Sequence, residues 1–281
     1  MLFRSSLDFI RRNKGRPFYL FCAWTLPHGP YRTDQVASLK AYKNTGWTDA
    51  QRVYAAMIER LDGDVGRLLA QLKELGLEQD TLVIFASDNG AGGGAANNDR
   101  FGSQAGLRGA KGTLWEGGIR VPMIARWPGH VPAGRTSDFA TAFCDFLPTA
   151  AELAHAQAPP GLDGISIVPV LLGKGQKPRD FHYWENLQGA KLAKAVRMGT
   201  WKGCQAAAGQ ALELYELASD RGEAKNVAAD HADVVKRIEA IMQQAHTDTE
   251  IPTKPDPRIW KKYEEDNRKL DALFQGPGVR P

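Results

Sequence analysis

The 281-residue sequence has few cysteines, no long apolar run and little excess charge. Its three cysteines, Cys22, Cys144 and Cys204, are scattered, and none belongs to a CxxC pair. This spacing predicts neither a disulfide framework nor a cysteine metal site. No apolar stretch approaches the roughly 20 residues of a membrane-spanning helix. The net charge of +4 gives no strong case for a nucleic acid or an anionic membrane as partner, but it is compatible with anionic substrates.

The first 18 residues, MLFRSSLDFIRRNKGRPF, do not have the features of a signal peptide. They contain neither an apolar central region nor a small-residue cleavage site. Taken by itself, this stretch predicts a cytoplasmic location.

The first 175 residues alternate apolar segments with amphipathic ones, which is typical of an α/β domain with a mainly parallel sheet and flanking helices. The clearest helix covers 49–75, where apolar residues recur at 3.6-residue spacing and Gly76 follows as a natural C-cap. The aromatic-rich run at 18–24 predicts a strand that is covered on both faces. The complete prediction is helices at 5–13, 49–75 and 138–154 and strands at 18–24, 81–86 and 120–127.

The pattern changes after about residue 175, where a polar linker leads into shorter apolar pieces. Strands are predicted at 180–185, 193–198 and 211–217, followed by a helix at 231–245. We therefore expect an α/β domain at 1–175 and a small α+β subdomain with an antiparallel sheet at 176–250. Residues 251–281 begin proline-rich and predict an extended tail.

The segment TLVIFASDNG ends an apolar strand in Ser87, Asp88, Asn89 and Gly90. Ligands bind at the carboxyl ends of strands in an open parallel sheet. An Asp carboxylate beside an Asn carbonyl provides two hard oxygen ligands of the kind that calcium or magnesium prefers. The alternative is a plain turn, because Asp, Asn and Gly are also the commonest turn residues.

Two further segments adjoin predicted strands and carry candidate site residues. One follows the strand at 18–24, and the other precedes the strand at 120–127. LPHGPY places His28 between two prolines, which restrict its backbone as in a pre-positioned site residue; a histidine with a structural hydrogen bond is the alternative. The glycine-rich stretch GLRGAKGTLWEGG carries Arg108, Lys111 and Glu116, and a glycine-rich backbone with fixed cations predicts an oxyanion-binding loop. The alternative for this stretch is a solvated, mobile loop.

These segments, taken together, resemble the sulfatases of the alkaline-phosphatase-like superfamily. The resemblance is carried by PHGPY, TLVIFASDNG, LRGAKGTLWEGGIRVPMIARWPG, LDGISIVPVLLG, AVRMGTWKG and LELYELASDRGEAKNVA, and it extends from about residue 8 to about residue 246. It implies an alkaline-phosphatase-like fold and hydrolysis of a sulfate ester to an alcohol or phenol plus sulfate. It also implies export of the full-length parent protein to the periplasm or beyond.

The resemblance assigns a role to each matching residue. Asp88 and Asn89 correspond to part of a calcium site, with magnesium as a second possibility. Lys111 corresponds to the lysine that contacts the sulfate oxygens and helps the bridging oxygen to leave, and His28 to a histidine that contacts the sulfate. Arg108 lies in the same block, and we predict a structural role for it.

The sulfatase nucleophile is a formylglycine made within a C/S-x-P/A-x-R motif, and no cysteine or serine of these 281 residues lies in such a motif. The resemblance therefore implies a C-terminal portion of an arylsulfatase-like enzyme, with the formylglycine and further metal ligands upstream. On this interpretation the chain alone is expected to be inactive.

The substrate cannot be read from these motifs beyond a sulfated small molecule or carbohydrate. The hairpin region 182–199 is expected near the mouth of the site, which makes His182, Trp184, Glu185 and Arg197 candidate substrate contacts; a plain hairpin with a core tryptophan is the alternative. Two other functions stay open at this point. One is a phosphate or phosphonate ester hydrolase of the same superfamily, and the other is a non-catalytic protein or fragment that retains the fold.

Overall fold

The computed structural model describes residues 2–29, 31, 39–92, 101–188 and 191–248. Residues up to Met242 form one compact unit, and a second unit begins at Gln243. The predicted tail at 251–281 lies outside the described residues. The predicted boundary near residue 175 stays a prediction.

Two helices open the chain, and both agree with the sequence pattern. Helix α1 covers Leu2–Asn13 and helix α2 covers Asp49–Glu74. Thr48 and Gln51 form a reciprocal capping box that satisfies free backbone N–H groups at the start of α2. Gly76 takes a positive φ of 70° just beyond its end, as predicted for a C-cap. The buried face of α2 contains Val53, Ala56 and Met57.

The predicted strand at 18–24 is not a strand in this structure. The segment has no ladder to another strand within the described residues, and its burial alternates rather than being complete. Tyr19 is 64% exposed and Phe21 is 74% exposed. The prediction of burial on both faces was therefore wrong, because an apolar run fixes only the preference for burial and not the presence of a covering layer.

The next elements form a small antiparallel pair. Strand β1 covers Val83–Ala86 and strand β2 covers Met123–Arg126. They run antiparallel, with Val83 opposite Arg126 and Ala86 opposite Met123. Both lie inside the predicted segments 81–86 and 120–127. The parallel pairing expected for this domain is not among the strand ladders of the described residues.

Short helices follow β1. Helix α3 is a single turn at Glu116–Ile119, between β1 and β2. Helices α4 (Phe146–Leu153) and α5 (Val168–Leu171) connect the strand pair to the second sheet. The predicted helix at 138–154 is thus realised as a 3₁₀ turn at Phe143–Asp145 followed by α4.

The C-terminal part is a four-stranded antiparallel sheet in the order β3-β4-β5-β6. The strands are β3 (His182–Gln188), β4 (Lys191–Met198), β5 (Trp201–Gln205) and β6 (Glu213–Glu216). Helix α6 (Ala232–Gln244) covers one face of the sheet. The sequence patterns predicted β3, β4, β6 and α6 but missed β5.

Two further features concern the cysteines and the helices of the described residues. Cys22, Cys144 and Cys204 are free thiols. Burial raises the pKa of Cys204 to about 11, so this thiol is a core residue rather than a reactive group. None of the helices in the described ranges combines the length and the apolar character needed to cross a bilayer.

Candidate functional site

The loop that carries Asp88 and Asn89 at the end of β1 is hydrogen-bonded to the glycine-rich loop that carries Lys111. Gly90 follows the predicted metal ligands directly, and its N–H donates to the Gly118 carbonyl at 2.9 Å. The Lys111 N–H donates to the Ala91 carbonyl at 2.9 Å. A Cβ at residue 90 would lie 1.9 Å from the carbonyl oxygen of Gly117. Glycine is therefore required at residue 90 for the Asp88–Asn89 loop to lie against the Lys111 loop.

Lys111 and His28 meet although they are 83 residues apart. The Lys111 Nζ lies 3.3 Å from the His28 Nε2. The other ring nitrogen, Nδ1, lies 2.7 Å from the carbonyl oxygen of Gly29. A carbonyl only accepts, so Nδ1 carries the hydrogen and Nε2 presents its lone pair to the lysine ammonium. Both side chains are exposed to solvent.

Asp88 and Asn89 present oxygen atoms beside this pair of loops. Asp88 is exposed, and it forms no hydrogen bond or ion pair with the other described residues. The side-chain amide nitrogen of Asn89 donates to the Gly90 carbonyl at 3.0 Å, which leaves its carbonyl oxygen as a potential ligand. Hard oxygen donors of this type suit Ca²⁺ or Mg²⁺.

Asp88 and Asn89 offer the right kind of ligand for a hard cation, but two residues supply too few oxygen atoms to complete its coordination shell. Calcium takes six to eight oxygen ligands. Within the described ranges, no three His, Cys, Asp or Glu side chains come together in a possible metal cluster. Asp88 and Asn89 can therefore supply part of a coordination shell.

His28, Asp88, Asn89 and Lys111 line one broad open cleft of about 3210 Å³. Typical small-molecule pockets enclose roughly 300–1,000 Å³, so this is an open concavity rather than a closed pocket. Exposed aromatic side chains, including Phe21 and Phe85, line another part of it. The cleft thus combines a cationic and oxygen-rich group with a largely apolar wall.

Arg108 supports the loop rather than the cleft. Its guanidinium donates to Glu213 at 3.2 Å and to the Glu223 carbonyl at 3.3 Å, and it also bonds the Tyr215 hydroxyl. It stacks over the Trp115 ring at 4.2 Å. These contacts agree with the structural role predicted for this arginine, because they tie the glycine-rich loop to strand β6.

The four predicted substrate contacts lie elsewhere in the fold, and none of them lines the cleft formed by the described residues. His182 is buried and stacks on Trp184, with ring centroids 5.5 Å apart. Trp184 packs against the core cluster around Leu114 and Cys204. Arg197 donates to the Gly199 carbonyl, and Glu185 accepts a hydrogen bond from the Tyr183 hydroxyl. Their role in substrate binding stays a prediction.

The burial of His182 predicts a pH-dependent stability. Burial, with help from the charge of Arg179, lowers the pKa of His182 to about 4. Between pH 6.5 and 4 the unfolded imidazole binds a proton that the folded one does not, so the free energy of unfolding falls as the pH falls. We expect this group to account for a loss of up to about 3 kcal/mol between pH 7 and pH 4.

The measurement is urea unfolding of the parent chain and of His182→Phe at pH 7 and at pH 4.5. Phenylalanine keeps a planar ring on Trp184 but cannot titrate. The variant should lose less stability on acidification than the parent does. Equal losses in both proteins would show that His182 is not the titrating group.

Comparison with protein-family profiles identifies the family of the chain. The sulfatase family profile matches residues 1–156. This chain belongs to the sulfatase family. A second profile, "N-sulphoglucosamine sulphohydrolase, C-terminal", matches residues 110–248. Together the two matches cover the α/β part and the four-stranded sheet.

Individual sulfatases show the same relationship. Arylsulfatase A of Bos taurus is 33% identical over 264 residues, which are 83% of this chain and 50% of that protein. The crystal structure of Ps i-CgsB in complex with k-i-k-neocarrahexaose matches with a TM-score of 0.76 and 29% identity, over 86% of this chain and 53% of that one. The structure of BT4656 in complex with its substrate D-glucosamine-2-N,6-O-disulfate matches with a TM-score of 0.59 and 25% identity, over 70% and 40%.

These similarities confirm the predicted alkaline-phosphatase-like fold class and the arylsulfatase-like character of the chain. The chain spans half or less of the length of curated relatives such as the arylsulfatases A and the steryl-sulfatases.

Sequence reasoning missed two charged residues in this region of the sulfatase fold. Lys202 on β5 and Glu223 are both fully buried, and both contact Glu116. The available signal was a lysine between Trp201 and Gly203 inside an otherwise apolar sheet segment. Such a pattern identifies a buried lysine only when its carboxylate partners are already known.

Proposed function

We propose that the cleft lined by His28, Asp88, Asn89 and Lys111 binds the sulfate group of a sulfate ester and belongs to a sulfatase active centre. The reaction adds water across the ester, so that the S–O bond to the alcohol breaks and the alcohol oxygen takes up a proton. The single observation that carries the proposal is the Lys111–His28 contact at 3.3 Å, next to the Asp88–Asn89 loop, in a member of the sulfatase family.

The residues of this chain have separate roles in the proposal. The Lys111 ammonium donates hydrogen bonds to the sulfate oxygens and stabilises the developing charge on the leaving oxygen. The His28 ring is held by the Gly29 carbonyl. Its Nε2 accepts a hydrogen bond from Lys111 and orients it, or donates to a sulfate oxygen when it carries a proton. Asp88 and Asn89 would hold Ca²⁺ or Mg²⁺, which when bound supplies positive charge to the sulfate oxygens. No formylglycine motif occurs in the 281 residues, so no residue named here is the nucleophile.

The proposed substrate class is a sulfated carbohydrate or a small sulfated molecule. One observation supports the carbohydrate: the similar protein BT4656 was crystallised with D-glucosamine-2-N,6-O-disulfate as its substrate.

The decisive experiment measures binding of inorganic sulfate to the purified chain in the presence of Ca²⁺ by isothermal titration calorimetry. We expect Lys111→Ala to weaken sulfate binding about tenfold or more, because hydrogen bonds to charged groups contribute about 1.5–3 kcal/mol. Lys236→Ala is the matched control, because it removes the same charge from an exposed position on α6. Asp88→Ala should abolish the calcium dependence of sulfate binding.

Three outcomes would contradict the proposal. Equal weakening by Lys111→Ala and Lys236→Ala would indicate a general charge effect. Stronger binding of inorganic phosphate than of sulfate would favour a phosphate or phosphonate ester hydrolase of the same superfamily. Binding of neither anion would favour a protein that keeps the fold without the function.

A further inference from the structure

A buried cluster of three charged side chains lies behind the glycine-rich loop. Lys202 on β5 is 0% exposed. Its Nζ lies 2.8 Å from the Glu116 Oε1 and 3.2 Å from the Glu223 Oε1. The second oxygen of Glu223 accepts a hydrogen bond from the Glu116 backbone N–H at 2.7 Å. One lysine thus bridges two carboxylates, and one of those carboxylates caps the turn that carries the other.

The pKa values of the two carboxyl groups in the cluster are shifted in opposite directions. Burial by itself would raise the pKa of Glu116, but the adjacent Lys202, with Arg197 and Arg120, lowers it below its ordinary value. Burial raises the pKa of Glu223 above its ordinary value, against the opposing effect of Lys202. Lys202 thus donates a hydrogen bond to Glu116, whereas Glu223 makes an ion pair with Lys202 through Oε1 and accepts the Glu116 N–H through Oε2.

The cluster reaches the cleft through the backbone of the α3 turn and through Arg120, which pairs with the Glu116 Oε2 at 3.3 Å and lines the cleft. Glu116 begins helix α3, and the next two residues, Gly117 and Gly118, pack directly on the site loops. The Gly117 N–H donates to the Arg108 carbonyl at 2.6 Å, and the Gly118 carbonyl accepts from the Gly90 N–H at 2.9 Å. A movement of the α3 turn would therefore displace the Asp88–Asn89 loop and the Lys111 loop together.

A buried ion cluster is not in itself a favourable way to stabilise a fold, because the desolvation of each charge offsets much of the attraction. Apolar side chains of similar volume could fill the same space. What they could not do is accept the Glu116 N–H and fix the orientation of a glycine-rich turn. The cluster is thus better suited to defining one geometry than to adding stability.

We propose that Lys202 and Glu223 are positioning residues, which hold the α3 turn so that the Asp88–Asn89 loop and Lys111 keep their mutual geometry. The four-stranded sheet is then part of the framework of the cleft. This inference deepens the function proposed above and depends on it only for the identity of the bound group.

The test is amide hydrogen exchange of the full chain, followed at the N–H groups of Gly90 and Lys111. Both donate to loop carbonyls and not to the cluster itself. We expect Lys202→Met to speed exchange at these two amides about tenfold or more. If Lys202→Met does not fold, Glu223→Gln provides the milder change, since it keeps one acceptor for the Glu116 N–H and removes the charge.

Arg179→Met is the matched control. It breaks another buried ion pair, between Arg179 and Asp145, which shares no hydrogen bond with the two loops. A purely structural role for Lys202 would make both variants less stable without selective exchange at Gly90 and Lys111. That result, or unchanged exchange in the Lys202 and Glu223 variants, would overturn the inference.

Sulfate titration of the same proteins separates this inference from the proposed function. Faster exchange at Gly90 and Lys111 in a chain that binds no sulfate would support positioning and refute the sulfate site. Tight sulfate binding by the parent, with exchange and affinity unchanged in Lys202→Met, would support the sulfate site and refute positioning. We expect both effects, with sulfate affinity reduced about tenfold in Lys202→Met.

Discussion

Replacement of Lys202 by methionine is expected to lower the free energy of unfolding by about 3–5 kcal/mol, because it removes the cation shared by two buried carboxylates. Among the described residues, only Glu116 keeps another cationic partner, Arg120 at 3.3 Å. Methionine has a similar length, so the loss does not come from a cavity. Lys202 and Glu223 are both completely buried in the folded chain, and solvent cannot replace the lost contacts. The measurement is denaturant unfolding at pH 7, compared with the parent.

The triple variant Lys202→Met/Glu116→Gln/Glu223→Gln is the control for this interpretation. It removes all three charges together, so that no carboxylate stays buried without its lysine. We therefore expect it to recover most of the stability that the single variant loses. If the triple variant is as unstable as Lys202→Met, then packing of the lysine side chain, and not its charge, is the important contribution.

The parts of the fold that the sequence predicted are those with local causes. Helix α2 was expected at 49–75 and lies at Asp49–Glu74. The signals for this helix all lie within 30 consecutive residues: the capping box, the apolar stripe and the glycine after its end. The helix can therefore be recognised without knowledge of a distant partner. The same holds for α6, expected at 231–245 and found at Ala232–Gln244.

The predictions that were wrong concern segments whose structure depends on packing partners that are distant in the sequence. The run at 18–24 is apolar enough for a buried strand, yet Tyr19 and Phe21 are largely exposed. Strand β5 was missed because Lys202 and Gly203 are unfavourable strand residues when viewed locally. In the folded chain Gly203 lies under Ile238, whose Cγ2 would be 2.6 Å from a Cβ there. The partners of Lys202 are equally remote in sequence.

At the candidate site, too, some residues were identified from the sequence and others only from the structure. The resemblance to sulfatases pointed to His28 and Lys111, and the structure brings their side chains into contact. The resemblance assigned no role to Glu116, Lys202 or Glu223. These residues stand out only in the folded chain, where their charged side chains are buried together. The hairpin residues His182 and Trp184 were assigned to the mouth of the site because the region 182–199 was expected there. His182 is buried and Trp184 packs against the core cluster around Leu114 and Cys204, and their role in substrate binding stays a prediction.

The second large effect concerns Gly90, and we expect Gly90→Ala to lower the free energy of unfolding by at least about 3 kcal/mol. The added Cβ would lie 1.9 Å from the Gly117 carbonyl oxygen and 2.8 Å from its carbonyl carbon. Backbone atoms cannot rotate away as a side chain can. The Gly90 N–H is also bonded to the Gly118 carbonyl, so separation of the two loops would break that hydrogen bond as well.

Gly92→Ala is the matched control for this change. It makes the same substitution two residues later, where a Cβ meets no atom of the described residues within 4 Å, and we expect a change within about 0.5 kcal/mol. Thermal and denaturant unfolding of both variants give the comparison, and sulfate titration shows whether Gly90→Ala also separates Asp88 from Lys111. If the two alanine variants are equally stable, the loops do not pack as closely as the Gly90–Gly117 contact requires, and the positioning of the site through the α3 turn would lose its physical basis.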